Sequence, residues 1–137
     1  MSEIVDTNIF VRLLTQDDPA KAIRCFELLR RANRGESELA TSEAVIAETV
    51  YVLASRRLYG LPREEIAVRL GAVLAGSRLR LDRKDAVLDA LQLYSSTHLH
   101  FVDCLCVAHA RQEAFPHAVY SYDQDLGRVA GVRRLEP

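Results

Sequence analysis

Two periodicities share this chain. Short apolar runs that read as strands are separated by longer stretches in which apolar residues recur at helical spacing. Ile4-Val5 reads as a short buried strand that stops near Asp6, and the segment carrying Ile9, Phe10, Leu13 and Leu14 after it is helix-like. Asp18-Pro19 is a helix start: an N-cap carboxylate, then a proline whose ring already holds a helical φ. Ala22, Cys25, Phe26 and Leu29 repeat at i, i+3, i+4, i+7, and Gly35 ends that segment. Residues 38–40 form a second short strand. Thr41 or Ser42 caps the next helix, whose apolar faces hold Val45, Ile46, Val50, Val52 and Leu53. Pro62 opens another, with Ile66, Leu70, Val73 and Leu74 inward.

Further along, Leu79-Arg80-Leu81 alternates as a strand does. Asp82 or Asp85 caps a helix bearing Val87, Leu88, Leu91 and Tyr94, and residues 102–113 make a further helix rich in small side chains. Residues 118–122 are the clearest β run, and 132–135 a last short strand. No repeat, linker or low-complexity segment interrupts the series. Strands alternating with helices predict an α/β sandwich with a largely parallel sheet, and residues 1–137 read as one domain.

Composition changes this picture little. Of 137 residues, 49% are hydrophobic and 27% charged, an ordinary globular balance. No run approaches the ~18–20 apolar residues of a membrane span, and the N-terminus shows no basic-then-apolar leader, so no membrane association and a cytoplasmic location are expected. Cys25, Cys104 and Cys106 are odd in number, which favours reduced thiols. Cys104 and Cys106 would not face each other on a helix, so they read as small hydrophobes rather than metal ligands. The net charge of −1 points to no nucleic acid by itself. Yet 16 of the 18 basic residues are Arg, and if several acids share one pocket the remaining surface is net basic.

The acids carry the chemistry. In an open parallel sheet, functional residues gather beyond the C-terminal strand ends. Asp6 follows one strand and Asp123 another, each ahead of a helix-like segment. Glu48, in "SEAVIAETVYVL", and Asp103, in "HFVDCLCVAHAR", interrupt apolar stripes with no basic residue at i±3 or i±4 beyond His100. Each alone is most simply a solvated or capping acid. Four together in semi-buried positions, with so little local compensation, require cations from elsewhere in the fold or a bound divalent ion. Oxygen-only ligands favour Mg²⁺ or Mn²⁺ over Zn²⁺.

The pieces "IVDTNIFVRLL", "TSEAVIAETVYVL", "FVDCLCVAHA" and "YSYDQDLGRV", spanning Ile4 to Val129, resemble the PIN domain family of metal-dependent ribonucleases in motif, order and length. With no extra domain, the chain looks most like the VapC toxins of type II toxin–antitoxin pairs. The resemblance implies a three-layer α/β/α sandwich. It implies a metal site of Asp6, Glu48, Asp103 and Asp123, with Asp6 and Asp103 as principal ligands and Asp125 as an additional acid. Thr7, Asn8 and Ser121 match polar residues that orient the carboxylates; a Ser121 hydroxyl could donate to Asp6. The implied reaction is hydrolysis of an RNA phosphodiester by metal-activated water. The implied partners are an RNA substrate, a cognate antitoxin that blocks the acidic site, and a second copy in a homodimer.

No side chain stands out as a general base, and His98, His100, His109 and His117 read as surface or helix residues. Arg12, Arg56, Arg57, Arg111 and Arg128 are candidates for phosphate contact. Three other readings compete. An RNA-processing nuclease without an antitoxin would lack a neighbouring small reading frame for a DNA-binding antitoxin. A receiver-like signalling domain needs a Lys after a late strand, and none follows Lys84. A non-catalytic scaffold fits poorly with intact acids.

Overall fold

The computed structural model describes residues 2–137. They group into two compact units, Met1–Lys84 and Asp85–Pro137. In the first, β1 (Glu3–Ile4) runs parallel to β2 (Leu39–Ala40). Arg80 closes on the other edge of β2, with Thr41 N donating to Arg80 O at 2.9 Å and Arg80 N to Leu39 O at 2.8 Å. Of the three strands expected here, the first is present one residue earlier, the second is shortened to two residues, and 79–81 is reduced to a single bridge at Arg80. Only Val5 of the Ile4-Val5 pair is buried: Ile4 is 72% exposed, because successive side chains of an extended chain point to opposite faces.

Four helices complete this unit: α1 (Thr7–Thr15), α2 (Pro19–Asn33), α3 (Glu43–Ala54) and α4 (Arg63–Gly76). Their starts follow the local chemistry. Asp18 caps α2 through Lys21 N at 3.2 Å, and Ser42 caps α3 through Val45 N at 3.2 Å. Gly35 ends α2 at φ +80°, a left-handed backbone that favours glycine, with Glu36 N returning to Arg31 O at 2.9 Å. Pro62 is the N-cap of α4 rather than its first helical residue, since its ψ of 149° is extended. Packing centres on α1, which meets α2, α3 and α4. Phe10, Ile46, Leu53, Ile66, Leu70 and Leu74 are fully buried among them. Two residues expected inside lie further out: Val73 is half-buried and Phe26 is 58% exposed. The buried face of α2 is Ala22, Cys25, Leu29 and Ala32, and Phe26 falls off its edge.

The second unit holds α5 (Lys84–Ser96, starting at the last residue of the first unit), α6 (Phe101–Gln112), β3 (Ala118–Tyr120) and β4 (Arg133–Leu135). β3 and β4 pair in parallel, joined by a 3₁₀ segment at Gln124–Arg128. Tyr94 and Phe101 meet edge to face with ring centroids 5.8 Å apart. Arg111 of α6 donates to Asp89 of α5 at 3.3 Å and to the Ala130 carbonyl at 2.7 Å. Among the described residues, six α-helices and only parallel strand pairings make this an α/β fold. No described helix is long and apolar enough to cross a membrane.

Candidate active site

Asp6 stands between β1 and α1. Its backbone is extended, at φ −94° and ψ 170°, and it serves as the N-cap of α1, Oδ1 accepting the Thr7 N–H at 2.7 Å. The Thr7 hydroxyl donates in turn to Glu48 Oε2 on α3 at 2.9 Å. Thr7 is almost fully buried, so one fixed residue meets two carboxylates from distant parts of the sequence, Asp6 through its backbone N–H and Glu48 through its hydroxyl. Asp6, Thr7, Asn8 and Glu48 line a hollow of about 240 Å³, with Arg12 and Tyr59 at its side.

Arg12 does not neutralise those acids. Its guanidinium donates to Asp17 Oδ2 at 2.7 Å, and the Tyr59 hydroxyl donates to the same oxygen at 2.7 Å. These bonds, Tyr59's first and Arg12's next, pull the Asp17 carboxyl from its ordinary 3.8 down to about 2. Asp17 in turn raises the pKa of both Arg12 and Tyr59 through the same hydrogen bonds. Tyr59 was not singled out from the sequence, and nothing local marks it, because its partner lies 42 residues away.

In the second unit, Asp103 occupies the first turn of α6, whose N-cap is His100 and not Asp103 itself. Asp123 caps the 3₁₀ segment, its Oδ1 accepting the Asp125 N–H at 2.9 Å, while its own N–H donates to Ser121 Oγ at 3.0 Å. Asp125 faces Arg128 at 3.5 Å. Arg111 and Arg128, expected as phosphate contacts, are thus held by Asp89 and Asp125. Arg56 and Arg57 are exposed after α3.

The expected semi-burial of these acids holds for Asp103 alone and is corrected for the others. Asp6, Glu48, Asp123 and Asp125 are exposed and Asp103 is half-buried. Ile46 and Val50 flank Glu48 at two residues on either side, about 200° around the helix, so they can be buried while Glu48 faces water. Solvated carboxylates do not require a cation for the fold to stand. What persists is the lack of compensation: Asp6, Glu48, Asp103 and Asp123 have no ion-pair partner among the described residues. Asp6 Oδ2 and Glu48 Oε1 keep lone pairs open, and every donor on these positions is oxygen, a set that fits Mg²⁺ or Mn²⁺. The structure brings Asp6 and Glu48 to one hollow. Among the described residues, no three His, Cys, Asp or Glu side chains form a ready-made metal cluster.

The cysteines play no part in this. None of the three is in a disulfide, Cys25 and Cys104 are buried, and burial pushes the Cys25 thiol up. No curated protein matches the chain. The family model described as "PIN domain" matches residues 4–132, nearly the whole length and both compact units. The chain belongs to the PIN domain family, whose fold is generally that of metal-dependent nucleases.

Proposed function

We propose that this protein is a Mg²⁺- or Mn²⁺-dependent endoribonuclease of the VapC type, the toxin of a type II toxin–antitoxin pair. The observation that carries the catalytic part is the Asp6–Thr7–Glu48 arrangement. Two acids without ion-pair partners among the described residues meet one buried threonine, Asp6 at its backbone N–H and Glu48 at its hydroxyl, each with a free oxygen, in a chain of the PIN domain family. With Asp103 and Asp123 they would hold the cation, and Asp125 would add charge beside them. A divalent cation there would stabilise charge developing on the phosphoryl oxygens and ease deprotonation of the attacking water.

The chain's own residues do the positioning. Thr7 holds the Glu48 rotamer, and the α1 N-terminus holds Asp6. Asn8 lies on the rim of the same hollow. The Ser121 oxygen accepts from Asp123 N, which leaves the hydroxyl proton for a carboxylate or a phosphate oxygen. The VapC likeness of the four motifs supports a cognate antitoxin and a homodimer as the protein's partners, with RNA as its substrate.

The test is cleavage of defined RNAs with and without Mn²⁺ by wild type, Asp6→Asn and Asp103→Asn. Wild type should cleave only with metal, and each variant should lose roughly a hundredfold or more, the scale of losing several kcal/mol of charge stabilisation. Asn caps helices about as well as Asp, so Asp6→Asn should keep its fold. Cleavage that needs no metal, or that survives Asp103→Asn, would sink the mechanism.

A further inference from the structure

α2 has a second face beside its buried one. Lys21, Arg24, Leu28 and Arg31 recur at three- and four-residue steps and so share one side of the helix. That side joins Asn8, Ile9 and Arg12 of α1, with Cys25 and Glu27, to line a groove of about 640 Å³. Four of the nine lining residues are cationic and only Glu27 is anionic. The Glu27 carboxylate is already met from outside the groove, by Arg30 at 3.3 Å and Arg34 at 3.7 Å. Lys21 and Arg31 make only loose ion contacts, at 3.8 Å to Asp18 and 3.9 Å to Glu36. Arg24 has no acid partner among the described residues. Asn8 and Arg12 line both this groove and the hollow of Asp6 and Glu48, so the two adjoin.

Arg12 is bound to Asp17 at 2.7 Å, which leaves Lys21, Arg24 and Arg31 as weakly compensated cations in a groove adjoining an acidic pair, an arrangement suited to a polyanion that passes from one to the other. We infer that the α1–α2 groove seats the sugar–phosphate backbone of an RNA strand beside the bond to be cut, with Lys21, Arg24 and Arg31 as positioning residues. Ile9 and Leu28 offer apolar surface to the riboses between the phosphates. The inference rests on the ribonuclease reading above and adds the path of the substrate. It also differs from the arginines expected on sequence grounds, of which only Arg12 touches the groove.

The experiment measures binding of a fluorescein-labelled oligouridine to the full chain in EDTA, across a salt series, for wild type and K21Q/R24Q/R31Q. Metal-dependent cleavage is followed in parallel. The triple variant should bind at least tenfold more weakly near 0.1 M salt. Its slope of log Kd against log salt should flatten by about 2, since each phosphate contact to a single strand contributes roughly 0.7. In cleavage, KM should rise while kcat stays within about twofold, as expected when binding common to ground and transition states is removed. R24Q alone should move binding the same way by less, which keeps the test valid if the triple variant melts early.

Unchanged affinity and slope in a variant whose melting curve matches wild type would overturn the groove. If wild type still cleaves, the nuclease reading survives that result. Loss of binding with no cleavage by wild type would keep the groove and remove the nuclease reading. Equal affinity of wild type for poly-glutamate would overturn the RNA assignment in favour of an acidic protein segment.

Discussion

Thr7 shows how much one hydroxyl can organise. It is buried, its backbone N–H is bound by Asp6, and its Oγ1 holds Glu48. Thr7→Val keeps the branched shape and the Asp6 cap but leaves Glu48 free to rotate. Mn²⁺ affinity by calorimetry should fall about 10- to 100-fold, the usual effect of losing a side chain that orients a metal ligand. Far-UV circular dichroism should not change. Asp6 and Glu48 were legible as candidates because each interrupts an apolar run. Their exposure was not legible, because an acid between apolar neighbours can sit on either side of a helix. Lys21, Arg24 and Arg31 were visible at helical spacing too, but the apolar stripe of α2 explained the helix without them.

Between elements, the Arg12–Asp17–Tyr59 cluster fastens the end of α1 to the loop between α3 and α4. Asp17 has a depressed pKa in the folded protein, so its contribution to stability is present above about 3.8 and is lost as pH falls towards about 2. Melting temperatures of wild type and Asp17→Asn should therefore differ at pH 6 and converge as the pH drops through that window. Tyr59→Phe should narrow the window, because the tyrosine's hydrogen bond is the largest cause of the shift. A difference that persists unchanged at pH 2 would count against this account. Helix ends were the most legible feature at this scale. Asp18, Ser42 and Gly35 act on backbone groups within one turn, so their chemistry is complete in the local sequence. Strand lengths were not, since a strand extends only as far as a neighbour pairs with it.

Across the whole molecule, charge is unevenly shared. Residues 1–84 hold 14 of the 18 basic residues and 12 of the 19 acids, which leaves residues 85–137 net acidic. The proposed cation would draw on acids from both stretches, Asp6 and Glu48 from one and Asp103 and Asp123 from the other. Mn²⁺ should then raise the melting temperature of wild type. At a free concentration of 100 times Kd the gain is about 2.7 kcal/mol. Asp6→Asn and Asp103→Asn should each abolish most of the shift. A full shift in either variant would show that its acid is no ligand. The order of helices, the caps Asp18, Ser42 and Gly35 and the four acidic motifs can be read in the chain, because each depends on neighbours within a turn or on a fixed period. The face each acid presents, the tie from Thr7 to Glu48 across 41 residues, and the cationic groove beside them are products of the tertiary structure. Those contacts join residues far apart in sequence, and only packing decides which of a helix's sides meets another element and which meets water.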